Sequence, residues 1–213
     1  MNHHAPGQLQ SLQLAQVVDN VDPDGRGRIK VRLQSMPMEL WASVAAPSAG
    51  QGYGVSFIPR LDEIVVLAFV TPELPLVLGS VWAGQSSVPE DATPHEDHYV
   101  VRTPAGTVVE FDDSDGPKVE MRTQSGYRIH INESSGGEIT IERGAQSIKL
   151  TPTEINIDSS GPVNINSSTV NVSAAMVQVD AAMSKFSGVV QADTIIATSV
   201  VGTTYTPGAG NIW

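Results

Sequence analysis

The feature that most constrains this chain is a pair of β-branched or leucine residues separated by one polar residue. It returns every seven or eight positions, as Ile148/Leu150, Ile155/Ile157, Val163/Ile165, Val170/Val172 and Val177/Val179. A spacing of two places both members on one face of an extended strand. A seven-residue period in a coiled coil would instead space its apolar residues by three and four, with helix formers between them. The intervening residues here include Pro152, Pro162, Gly161, Asn156, Asn164 and Asn166, which oppose helix and favour short strands joined by turns. Two apolar residues per strand cannot enclose a core, and a single-chain β-helix uses coils of about twenty residues or more. Each strand therefore reads as one wall of a prism whose other walls come from partner chains. That is an obligate homotrimer, in which neighbours bury the apolar face and pair the strand edges.

Upstream the repeat is longer. Arg102-Thr-Pro-Ala-Gly-Thr-Val-Val-Glu-Phe111 recurs as Arg122-Thr-Gln-Ser-Gly-Tyr-Arg-Ile-His-Ile131, an offset of twenty that aligns Gly106 with Gly126, Val109 with Ile129 and Phe111 with Ile131. A weaker copy appears at Gly144-Ala-Gln-Ser-Ile-Lys-Leu150. The expected trimer core is then Ile129, Ile131, Ile139, Ile141, Ile148, Leu150, Ile155, Ile157, Val163, Ile165, Val170, Val172, Val177 and Val179.

Residues 9–82 follow a different grammar, with strand-like runs divided by Gly and Pro. Arg28 to Leu33 alternates strictly, placing Ile29, Val31 and Leu33 on one face and Arg28, Lys30 and Arg32 on the other. Asp22-Pro-Asp-Gly25 is hairpin-turn chemistry. Five or six strands without a convincing helix predict a small Greek-key barrel. The expected organisation is all-β: a tail at 1–8, an OB-like barrel at 9–82, a polar linker at 83–98, a trimeric intertwined β-helix at 99–201 and a tip segment at 202–213.

Composition closes off other classes. A net charge of −11 with 12 basic residues repels phosphate backbones, so nucleic acid is not an expected partner. The absence of cysteine removes disulfides, thiolate metal sites and cysteine nucleophiles together. No run approaches the apolar length of a membrane span, and the first residues lack the basic and apolar regions of a signal peptide, which predicts synthesis in the cytoplasm.

Three stretches carry a family resemblance: Gly25-Arg-Gly-Arg-Ile-Lys-Val-Arg-Leu33, Gly52 to Phe69 with its Pro-Arg-Leu-Asp-Glu-Ile-Val-Val core, and Pro75-Leu-Val-Leu-Gly-Ser-Val-Trp82. Together with the Thr-x-x-Gly repeats they resemble the central spike of contractile tails, known as phage baseplate assembly protein V and related to the spikes of type VI secretion and extracellular contractile injection systems. The sequence departs from that pattern at Leu61, where the family usually has Gly. The resemblance implies a non-enzymatic structural role: a trimeric OB ring docked on the tail hub and tube, continuing into a needle that crosses a target envelope when the sheath contracts. It places the protein in the baseplate of a phage tail or related particle.

Chemistry is expected to be absent. No catalytic, cofactor or metal residues are predicted. His3 and His4 read as a tail, and His95-Glu-Asp-His98 lacks the helical context of a zinc site. Asp112-Asp-Ser-Asp-Gly116 lacks the remaining ligands of a calcium loop and reads as a turn. His130 has no second histidine two residues away, so the axial iron that some spikes of the family hold is not expected. Two alternatives to a piercing spike are a receptor- or glycan-binding tailspike and a spike with envelope-degrading activity. The first lacks aromatic platforms, and the second lacks a carboxylate pair in a cleft. At the end of the chain, Tyr205, Pro207, Ile212 and Trp213 are expected either to seal the needle or to dock a separate tip protein of the PAAR type.

Overall fold

A computed structural model of the chain describes residues 12–84, 87–93, 96–134 and 136–204. The predicted tail at 1–8, His95, and the tip residues Tyr205, Pro207, Ile212 and Trp213 lie outside the described residues. The chain separates into two compact units, one ending at Val163 and one beginning at Asn164.

The first unit opens with strands β1 (Gln13–Asp19), β2 (Arg28–Leu33) and β3 (Glu39–Val44). A small hairpin of β4 (Ala49–Gly50) and β5 (Tyr53–Gly54) follows, then β6 (Ile64–Thr71) and β7 (Leu74–Val81). Five of these close into a barrel in the order β1-β2-β3-β7-β6, the one parallel contact being between β3 and β7 at Ser43/Leu76 and Val44/Val77. The alternation read in β2 is the reason for its burial: Ile29 and Val31 are fully buried and pack with Ala15, Val17, Ala42, Val65, Leu67 and Val77. Lys30 and Arg32 face outward and pair with Glu39.

The turn after β1 is organised by one carboxylate. Asp22 accepts from the backbone N–H groups of Asp24, Arg26 and Arg28 and from the Arg28 guanidinium. The Arg28 bond, reinforced by those N–H donors against desolvation, holds the Asp22 carboxyl well below its usual range. The family's Gly at position 61 is replaced by Leu without disruption, because the turn places its left-handed residue one position later. Glu63 N–H bonds the Arg60 carbonyl, and Asp62, at φ 69°, occupies the third turn position, a conformation that Asp tolerates.

The same unit continues through a 3-10 turn, Glu90–Ala92, into a second sheet. Its strands are β8 (His98–Arg102), β9 (Val108–Asp112), β10 (Lys118–Arg122), β11 (Tyr127–Asn132), β12 (Glu138–Arg143), β13 (Gln146–Leu150) and β14 (Ile155–Asp158). They form a seven-stranded antiparallel meander in sequence order. The twenty-residue repeat is one hairpin pair of this meander. In its first turn Thr103 receives the Gly106 and Thr107 N–H groups on its carbonyl and hydroxyl. Thr123 does the same for Gly126 and Tyr127, and Gly106 and Gly126 take positive φ, which is why each repeat carries glycine there. At the opposite edge Asp112 and Asn132 cap their turns identically, through Ser114 and Ser134. The segment once comparable to a calcium loop is thus a turn, with its first carboxylate taken up by Ser114 and Lys118.

Part of the segment expected to be a linker, 83–98, is tied to the sheet. Asp91 of the 3-10 turn pairs with Arg102 and Arg122 of the sheet, and β8 starts at His98. The second unit, taken alone, has no strand among its described residues, and every described residue from Pro152 to Thr204 is exposed.

Candidate functional site

Register makes the meander two-faced. Cross-strand partners run Tyr99–Phe111–Val119–Ile131–Ile139–Leu150–Ile155 in one column and Val101–Val109–Met121–Ile129–Ile141–Ile148–Ile157 in the next. Residues directly opposite in an antiparallel pair share a face, so one side of the sheet is apolar across all seven strands. In a single chain this side is largely uncovered: Ile139 is 39% exposed and Ile157 61%. A contiguous apolar surface of this kind marks an assembly interface.

The other face is a lattice of ion pairs. Arg122 reaches Glu110 at 2.8 Å and Glu120 at 2.6 Å as well as Asp91. Arg128 links Glu120 at 2.7 Å to Glu142 at 3.0 Å. Lys118 bridges Asp112 and Asp115, His98 lies between Glu110 and Asp112, and Lys149 meets Glu138. Glu110 raises the Arg122 pKa further above its ordinary value, outweighing desolvation. Burial works against the Glu120 carboxylate, yet Arg122 and Arg128 keep it below its usual range. Ser114 and Lys118 do the same for Asp112. The charges of this face are satisfied within one chain, which leaves the apolar face as the one without a partner among the described residues.

The expected core residues fall into two groups. Ile129, Ile131, Ile139, Ile141, Ile148, Leu150, Ile155 and Ile157 are brought together in the two columns. Val163, Ile165, Val170, Val172, Val177 and Val179 are exposed in the single chain, at 60% to 74%, and within it form no strand. Sequence reasoning missed the first three strands of the columns, although the alignment of Phe111 with Ile131 and Val109 with Ile129 already carried the signal. It also missed the ion lattice, whose members are separated in sequence and meet only through register. His130 lies on the charged face, opposite Glu120 and Thr140.

On the barrel, Tyr53 of β5 and Phe57 of the following loop are 73% and 71% exposed, and Trp82 beyond β7 is 67% exposed. Tyr53 belongs to the small β4–β5 hairpin and Phe57 and Trp82 to loops, so none of the three lies on the closed wall.

Comparison with protein families gives two matches. Residues 13–82 match the type VI secretion system/phage-baseplate injector OB domain, and residues 98–184 match the phage baseplate V C-terminal trimerisation domain. No curated protein matches the chain.

Proposed function

We propose that this chain, which belongs to the phage baseplate V family, is the non-enzymatic central spike that pierces a target envelope when a contractile apparatus fires. As a member of that family it is a structural baseplate component, and its trimerisation domain makes it a homotrimer. The observation that carries the reading is the double apolar column, uncovered in one chain and lying within the trimerisation segment. Three such sheets facing one axis bury their columns against each other and turn their ion lattices outward.

Beyond Asp158 each copy offers only exposed apolar pairs from Val163/Ile165 to Val177/Val179. Strands from three copies winding about the axis supply one another's backbone partners and core, giving the intertwined needle. Such a needle resists axial load because buckling would break hydrogen bonds in three chains at once. Its work is mechanical. The barrel docks on the tail hub and tube, with Tyr53 and Phe57 as apolar footholds. The end of the chain seals the needle or carries a PAAR-type tip protein, and the host particle is a phage tail, a tailocin or an extracellular injection system.

The test uses assembled particles carrying the full chain with Val177→Asp and Val179→Asp. These changes spare the seven-stranded sheet and bring charge onto the needle axis. Particles are expected to adsorb and contract while leakage of a dye from target cells falls sharply. Undiminished leakage with contracted sheaths refutes piercing by the needle, and release of cell-wall fragments by the purified wild-type trimer refutes its non-enzymatic character.

A further inference from the structure

The alternation of several strands continues beyond the apolar columns on both sides of the sheet, and the two sides, here called its edges, differ in charge. At one edge stand Asp97, Asp113 and Glu133, all exposed. The Asp113 N–H bonds the Asp97 carbonyl and the Glu133 N–H bonds the Pro117 carbonyl, both at 3.0 Å. The ladder thus runs one step past Phe111 and Ile131, and the carboxylates border the apolar face. At the opposite edge Tyr127 and Arg143 are register partners, with the guanidinium 4.4 Å above the ring. They follow the same alternation, beyond Ile129 and Ile141.

Pairing sets these groups apart. Among the described residues Arg102, Lys118, Arg122, Arg128 and Lys149 of the sheet each hold a carboxylate. Arg143 is the one cation of the sheet that has only its ring contact. The carboxylates of Asp97, Asp113 and Glu133 have no ion pair among the described residues either. An exposed guanidinium and a row of exposed carboxylates thus flank one apolar face from opposite sides.

A threefold ring closes only through heterologous contacts, in which one surface of each copy meets a different surface of the next. We infer that the occupant of each edge is a second copy of this chain, the Arg143 edge of one subunit meeting the Asp113–Glu133 edge of its neighbour around the axis. Like edges brought together would align carboxylates with carboxylates, so the charges oppose an isologous pairing of two copies and favour the heterologous contact. The inference rests on the trimeric reading and adds to it the charged edge contact between neighbouring sheets.

The experiment compares four full-length proteins at low and at about 1 M salt, where charge interactions are screened within a few ångströms. They are the wild type, Arg143→Ala, Arg143→Glu, and a swap combining Arg143→Glu with Asp113→Arg and Glu133→Arg. Solution mass and the temperature of trimer loss are read for each. At low salt Arg143→Glu is expected to lose its trimer about 5 °C or more below Arg143→Ala. The swap is expected to recover most of that difference, and high salt to erase it. If Ala and Glu at 143 behave alike and the swap rescues nothing while the wild type has the mass of three chains, the edge contact is refuted and the trimer stands. A wild type with the mass of one chain refutes both.

Discussion

The barrel and the meander are written in the same two-residue alternation and end in opposite conditions. In the barrel, Ile29, Val31, Val65, Leu67 and Val77 are fully buried because β3 and β7 join and the sheet wraps on itself. In the meander, Ile129 to Ile157 alternate just as cleanly and remain 37% to 68% exposed where they are uncovered, because β8 and β14 stay at opposite ends of an open sheet. Alternation states which face seeks cover. Whether the chain supplies that cover depends on closure, and the two halves of this molecule give both answers.

The sharpest way to break the comparison is to charge the open face. Ile139→Asp with Ile141→Asp in the full chain is expected to abolish the trimer, giving the mass of one chain by light scattering, since three pairs of carboxylates would converge on one apolar core. The barrel should survive this change, because its core is complete within one chain; near-ultraviolet circular dichroism of Trp41 and Trp82 checks it.

The converse substitution is Leu67→Ala, in a side chain with no exposure. It is expected to cost the barrel about 2–5 kcal/mol in denaturant unfolding. The solution mass should remain that of three chains.

Acid separates the halves less sharply, since each contains a depressed carboxylate. Asp22 in the barrel and Asp112 in the meander both lie below their ordinary 3.8 in the folded state. Stability from such groups is complete above that ordinary value and is lost as pH falls below it through the lower folded values. Asp22→Asn is therefore expected to lower barrel stability at pH 7 and to flatten its decline below about pH 4, measured by thermal melts across pH, while the meander's own acid loss persists.

The smallest effect belongs to the Leu61-Asp62 turn. Asp62→Gly relieves a left-handed aspartate but gives up the Gln16 bond and adds freedom to the unfolded chain. The net change in barrel unfolding is expected within about 0.5 kcal/mol.

Much of the meander was legible in sequence because its causes are local. The Thr-x-x-Gly turns follow from a hydroxyl and a positive φ within five residues, and the columns follow from the pleat. The expected set begins at Ile129 while the apolar columns begin three strands earlier, because those strands carry Tyr, Phe, Met and Val in place of the regular isoleucine pairs. The segment expected to be a linker hid its role, since Asp91 is polar in composition and acquires meaning only beside Arg122, thirty-one residues away.

The sequence by itself determined the strands of the barrel and the meander, their apolar faces, the twenty-residue hairpin unit and the need for partner chains, all of which come from spacing along one backbone. The tertiary structure alone decided that five N-terminal strands close while seven later ones stay open, which carboxylate meets which arginine, and where Arg143 stands relative to Asp113 and Glu133. The physical reason is that pleat and turn geometry act between near neighbours. Register and closure join residues far apart in the chain, where many pairings satisfy the same pattern and only the packed whole selects one.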